Sequence, residues 1–262
     1  MISNPYEGLY PEVVEVLSEF INSDDENDYH RKHARRLART LHLLMEQSPS
    51  GRILELGTSG IIPSALARIF PDIEIDVTNF DTSMGKKHTF VSPYGGKFSS
   101  FCLDLESEEL PVKDETYDWV LCCEVIEHLD VDPMFMMCEI NRVLKPEGHI
   151  LLTTPNIVST RGLVSILNGY EPYFYMQYHK DRSPYRHNYE YSIHSLKSVM
   201  VSAGFDGSIW TENNFMNPIQ GIEEKLGSIG FFPTHTGDNI ITIAKKISGV
   251  VHRYPSSIYV DD

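Results

Sequence analysis

From Arg52 to Asn156 short apolar runs alternate with helix-like stretches, and this alternation constrains the fold more than any other feature of the chain. RILELG (52–57) reads as a buried strand closed by Gly57, and IPSALARIF (62–70) reads as a helix. IEIDVTNFD (73–81), FSSFCLDL (98–105), YDWVLCCEV (117–125) and HILLTTPN (149–156) read as four further strands. A helix is expected after Val125 to about Leu144, with a turn at PEG (146–148). Strands buried on both faces read as unbroken apolar runs, and parallel neighbours need a crossover between them. The pattern therefore predicts an α/β, Rossmann-like fold with a mostly parallel sheet flanked by helices. SLKSVMVSAGF (195–205) adds a helix ending at Gly204, and SIW (208–210) and NIITIAKK (239–246) bring the expected strands to seven.

Two segments stand outside the alternation. In residues 1–50, Ala34, Leu37, Ala38, Leu41, Leu44 and Met45 recur at helical spacing, after SDDEND (23–28) and before the stop SPSG (48–51). This is either a helix packed on the sheet or a lid over a ligand, and it is assigned as an N-terminal helical lid ahead of a domain spanning 51–262. Residues 157–192 are too long for a plain connection and rich in Tyr, with His179 and His187 among them. Long insertions of this kind are usually functional, so the segment is expected to bind substrate.

The formal charge of −15 repels phosphate backbones and makes nucleic acid a poor partner. RKHARR (31–36) is the one dense basic cluster. Cys102, Cys122, Cys123 and Cys138 form no CxxC pair, as expected of free thiols in a reducing compartment. No apolar stretch approaches the ~20 residues of a membrane span, and the start lacks the order of a signal peptide. A cytoplasmic protein acting on a small molecule, with its oligomeric state open, is the expectation.

Ligands of open parallel sheets bind at the carboxyl ends of strands. Glu55, Asp81, Asp104 and Glu124 all fall at such ends. Gly57, Thr58 and Ser59 follow the first strand directly before a helix, where backbone amides favour an anionic group. A strand, a glycine, a helix and an acid also open dinucleotide-binding dehydrogenases, which offer no counterpart for the phrases that follow. RILELGTSG, FDTS, LDLESEELPVKDETYDWVLCCEVIEHL and LKPEGHILLTTPN resemble the successive motifs of class I S-adenosylmethionine-dependent methyltransferases. The resemblance covers about residues 50–156 and resumes at YSIHSLKSVMVSAGF. It implies S-adenosylmethionine as cofactor, with Glu55, Gly57, Thr58 and Ser59 beneath its methionine part. Asp81 would hold the ribose diol, Asp104 and Leu105 the adenine, and Cys123 and Glu124 the methionine end. The glycine loop departs from the family's usual three glycines, which keeps a non-catalytic cofactor-binding module as a rival.

TPNIVSTRGLVSILNGY and RHNYEYSIHSLKSVMVSAGF resemble methyltransferases of bacterial glycan-assembly loci, which implies O-methylation of a sugar or nucleotide-sugar precursor of a surface polysaccharide. EVIEHL (124–129) sets Glu124, Glu127 and His128 at i, i+3 and i+4, one face if the stretch is helical. It resembles the Glu-x-x-Glu-His run that supplies metal ligands in small-RNA 2′-O-methyltransferases and ubiquinone-pathway O-methyltransferases, with His187 matching a further histidine. That resemblance implies a divalent ion (Mg²⁺, Mn²⁺ or Zn²⁺) on Glu124, Glu127, His128 and His187, and a catechol-like or RNA 2′-hydroxyl acceptor as the alternative. Without metal, His128 or His187 is the expected general base. His179, His194, His235 and Asp238 are weaker candidates.

Overall fold

The computed structural model describes residues 8–22, 28–80, 86–172, 185–215 and 219–260. The chain forms two compact units, residues 1–102 and 103–262.

The first unit opens with α1 (Pro11–Asn22) and α2 (Asp28–Gln47), which pack on each other and on α3 (Ile61–Ile69). The α2 stripe of Ala34, Leu37, Ala38, Leu41 and Leu44 is buried as its spacing predicts. Each buried leucine stabilises the unit by roughly 1.5–3 kcal/mol relative to exposure. Of the expected cap segment 23–28, residues 23–27 lie outside the described residues and Asp28 opens α2. Strands β1 (Arg52–Glu55), β2 (Glu74–Asn79), β3 (Lys87–Val91) and β4 (Lys97–Cys102) lie in the order β3-β4-β2-β1. β1, β2 and β4 run parallel, while β3 forms an antiparallel hairpin with β4. Strand β3 was not among the expected seven. KHTFV alternates exposed and half-buried residues at the sheet edge and so has no apolar run to announce it.

The second unit holds β5 (Tyr117–Cys123), α4 (Pro133–Val143), β6 (Leu144–Pro155), α5 (Thr160–Leu167), α6 (Ile193–Ser202), β7 (Phe205–Glu212), α7 (Ile222–Ser228) and β8 (Asn239–Lys246). Their order is β5-β6-β8-β7. β5 and β6 are parallel, and β8 runs antiparallel to both β6 and β7. Eight strands are thus present among the described residues, one more than expected. Trp119, Val120, Leu121 and Cys122 are all buried in β5.

Two boundaries differ from expectation for physical reasons. The helix expected after Val125 begins only at Pro133, with Asp132 capping its first turn by accepting from the Phe135 amide at 3.2 Å. The PEG turn is instead the start of β6, which shifts register against β5 between Tyr117 and Trp119 and is tied there by the Lys145–Asp118 ion pair at 2.8 Å. Gly204 ends the α6 segment as expected, with φ of 87°. No described helix is long and apolar enough to cross a membrane.

Candidate functional site

In the first unit, the carboxyl end of β1 carries Glu55 and the loop Gly57–Gly60. Gly57 has φ of 66° and is exposed. Its amide donates to Thr78 Oγ1 at 2.9 Å, and the Thr58 amide donates to the Thr78 carbonyl at 2.9 Å, so β2 fixes the loop's course. Thr58 Oγ1 accepts from the Gly60 amide at 2.9 Å, and the Ser59 side chain faces solvent. Glu55 is 6% exposed, and its Oε2 has no hydrogen-bond partner among the described residues. Burial pushes its carboxyl up to about 7, against a smaller downward pull from the Thr58 hydroxyl. Asp81 lies outside the described residues.

In the second unit, Asp104 closes a turn on itself. Its carboxylate accepts from the Glu106 amide and the Ser107 hydroxyl, both at 2.9 Å. Leu105 sits half-buried in that turn. Glu106 then accepts from the amides of Asp130, Val131 and Asp132 at 2.6–2.9 Å, fastening the loop that follows β5. Cys123, half-buried, ends β5 opposite Thr153. Burial raises the neighbouring Cys122 thiol well above its ordinary range.

EVIEHL is not part of an α-helix. Glu124 takes a left-handed conformation with φ of 58°, and Ile126–His128 forms a single 3-10 turn. The swing separates the acids that i, i+3 spacing was expected to join. The Glu124 carboxylate is drawn to the sheet, where Oε1 accepts from Thr153 Oγ1 at 2.7 Å and from Asn239 Nδ2 at 3.0 Å. Glu127, His128 and His187 do converge, each offering a ligand atom within 4.8 Å of the others, whereas Glu124 is outside that group. Glu127 is fully buried and accepts from Thr154 Oγ1 at 3.0 Å. Its Oε1 lies 3.8 Å from His128 Nε2. The two imidazoles meet edge to face with centroids 4.9 Å apart.

Sequence reading missed what orients these rings. His128 Nδ1 lies 3.0 Å from the Arg186 carbonyl, and His187 Nδ1 lies 3.0 Å from Glu190 Oε1. The Arg186 carbonyl can only accept, so His128 Nδ1 carries a proton there; an ionised Glu190 carboxylate asks the same of His187 Nδ1, and in a neutral ring so arranged Nε2 keeps the lone pair. Asn188 stitches the stretch in place, its amide donating to the Glu127 carbonyl at 2.7 Å and its Nδ2 to the His128 carbonyl at 2.8 Å. The His187–Glu190 spacing of three was a readable signal. The Asn188 and Arg186 contacts, near sixty residues from the turn they hold, were not. Asn188, Tyr189 and Glu190 also line a cavity of about 520 Å³ with Ser192, His194 and Ser257.

The weaker candidates stay apart from this group. His179 lies outside the described residues. His194 is exposed on the cavity wall and His235 is exposed, contributing only its carbonyl to Asn156. Asp238 spends its carboxylate on the amides of Asn214 and Phe215.

A family model described as a methyltransferase domain matches residues 29–208. Among curated proteins, the ubiquinone biosynthesis O-methyltransferases of Schizosaccharomyces pombe and Photobacterium profundum are 29% and 32% identical over 106 and 110 residues. These matches cover 39% and 40% of this chain and 37% and 44% of the relatives, so the chain spans less than half the length of the curated proteins it matches. Among solved structures, an S-adenosylmethionine-dependent methyltransferase of Thermotoga maritima aligns with a TM-score of 0.56 and 21% identity, covering 90% of this chain and 100% of that one. One from Archaeoglobus fulgidus aligns at 0.55 with 18% identity, covering 83% and 98%. These two likenesses concern the fold.

Proposed function

Since the chain belongs to the family of S-adenosylmethionine-dependent methyltransferase domains, we propose that it transfers the cofactor's methyl group to a hydroxyl of a small molecule, with a divalent cation held by Glu127, His128 and His187. The observation that carries the cation reading is the convergence of one buried carboxylate and two imidazoles whose Nδ1 atoms are already engaged. One carboxylate and two imidazoles fit Mn²⁺ or Zn²⁺ better than Mg²⁺, which prefers oxygen ligands. Glu124 takes no part in it. The cofactor role that the sequence resemblance implies is proposed for Glu55, Gly57, Thr58 and Ser59 of the first unit and, separately, for Asp104, Leu105, Cys123 and Glu124 of the second.

Glu127, His128 and His187 would hold the cation, whose chemistry there would be Lewis-acid activation of the acceptor hydroxyl. The chain's own residues hold the geometry. Thr154 fixes the Glu127 carboxylate, and the Arg186 carbonyl and Glu190 fix the rings. The acceptor oxygen bonds to the methyl carbon as the carbon–sulfur bond breaks, the hydroxyl proton leaves to solvent, and S-adenosylhomocysteine is released. Because a sulfonium methyl is already activated, positioning and deprotonation are the main tasks left to the protein.

The acceptor chemistry is a hydroxyl with a second oxygen beside it, as in a catechol or in a sugar or nucleotide-sugar diol. That the relatives from Schizosaccharomyces pombe and Photobacterium profundum are O-methyltransferases favours O-methylation. The sugar source is motivated by composition alone, the tyrosines of the 157–192 sequence being a residue type suited to stacking on sugar rings and bonding hydroxyls. Methyl transfer from labelled S-adenosylmethionine to a catechol and to nucleotide sugars, with Mn²⁺ and with chelator, tests the reading. Turnover on one acceptor class that chelator abolishes and Mn²⁺ restores is expected. Turnover indifferent to chelator would remove the cation and leave His128 or His187 as the base. Cofactor binding without turnover on any hydroxyl would leave a non-catalytic module.

A further inference from the structure

We propose that Glu190 is the positioning residue of His187, holding the proton on Nδ1 so that Nε2 is the nitrogen presented to the cation and His187 is the stronger of the two imidazole donors. The inference rests on the cation reading above. Glu190 is 5% exposed, and a carboxylate is costly to bury unless it is hydrogen-bonded. The bond it makes is to His187 Nδ1 at 3.0 Å, one helical turn's spacing away in sequence. His128 is oriented by a neutral carbonyl instead. A charged acceptor makes a stronger hydrogen bond than a neutral one and leaves the ring a better donor at its other nitrogen. The two imidazoles are therefore inequivalent, and the difference resides in Glu190.

Glu190 is also separable from the scaffold that carries His187. Asn188 and Tyr189 anchor the same stretch through backbone and amide bonds to Glu127 and His128 that do not involve the Glu190 carboxylate. Glutamine has nearly the shape of glutamate, so the substitution removes the charge without a change of packing volume.

The test combines imidazole nitrogen NMR of the wild-type protein with calorimetric Mn²⁺ titration of wild type, Glu190→Gln and His187→Ala. Wild-type His187 is expected to be protonated at Nδ1. Glu190→Gln should weaken Mn²⁺ binding by about 10–100-fold, shift the His187 tautomer, and leave the His128 tautomer and the melting temperature in place. If wild type binds Mn²⁺ and Glu190→Gln binds it equally well, the positioning role is overturned while the cation site stands. If wild type does not bind Mn²⁺, or His187→Ala binds it as tightly, the cation reading falls and this inference with it. Should Glu190→Gln fail to fold, the wild-type spectrum decides alone, since protonation of His187 at Nε2 contradicts the proposal.

Discussion

Glu55→Gln should make the protein less sensitive to pH, and the size of the change follows from the burial of Glu55. The folded carboxyl titrates at about 7 instead of its ordinary 4.5, chiefly because it is withdrawn from water. Between those values the folded protein keeps a proton that the unfolded chain has released. Stability contributed by this group is complete below the unfolded pKa and is lost as pH rises through the folded one. At about 1.4 kcal/mol per unit, the loss across the window is on the order of 3 kcal/mol. Glutamine carries no titrating proton, so the variant escapes that loss while keeping the shape and the contact with Thr58. Urea unfolding of both proteins from about pH 5 to about pH 8 isolates the effect, because every other titration cancels in the difference. The variant should gain on wild type steadily through the window and level off above it. Saturating S-adenosylmethionine should shrink the difference if Glu55 serves the cofactor, since a cationic ligand favours the ionised carboxylate. Parallel stability curves for the two proteins without cofactor would refute the reasoning.

Three further outcomes are expected. Glu127→Gln keeps an acceptor for Thr154 but removes the anionic ligand, so kcat/KM with Mn²⁺ should fall by about a hundredfold or more, with unchanged circular dichroism. Gly204→Ala would set a methyl 2.6 Å from the carbonyls of Ser248 and Gly249 at a φ of 87°, and calorimetry should show a melting temperature lower by several degrees, equivalent to roughly 1–3 kcal/mol. Glu106→Ala frees the amides of Asp130, Val131 and Asp132, whose hydrogen exchange should quicken by about tenfold, the equivalent of about 1.4 kcal/mol.

The strands that read clearly were those whose burial is written into consecutive residues, such as VLCC in β5 and ILL in β6. Edge strand β3 was illegible because three of its five residues are exposed and none is buried, which leaves no apolar run. EVIEHL was legible as chemistry and misread as geometry. Its spacing fits a helical face, but Glu124 takes a left-handed turn while its amide donates to the Thr153 carbonyl at 2.8 Å. No property of the six residues encodes that contact. His187 was found by resemblance. What makes it useful, the bonds from Asn188 to Glu127 and His128, is tertiary and visible only in the folded unit.

Those bonds have a consequence for how such a domain can change. The cluster is assembled from two short pieces, 127–128 and 186–190, joined to each other largely through main-chain atoms. Main-chain joints are indifferent to which side chains surround them. Segment 170–185 supplies none of the joints described, so another acceptor's pocket can be placed there while β6, with the Thr154 that holds Glu127, is kept. Grafting a foreign segment between Gly169 and Arg186, with both pieces retained, is the protein-engineering experiment that this architecture invites.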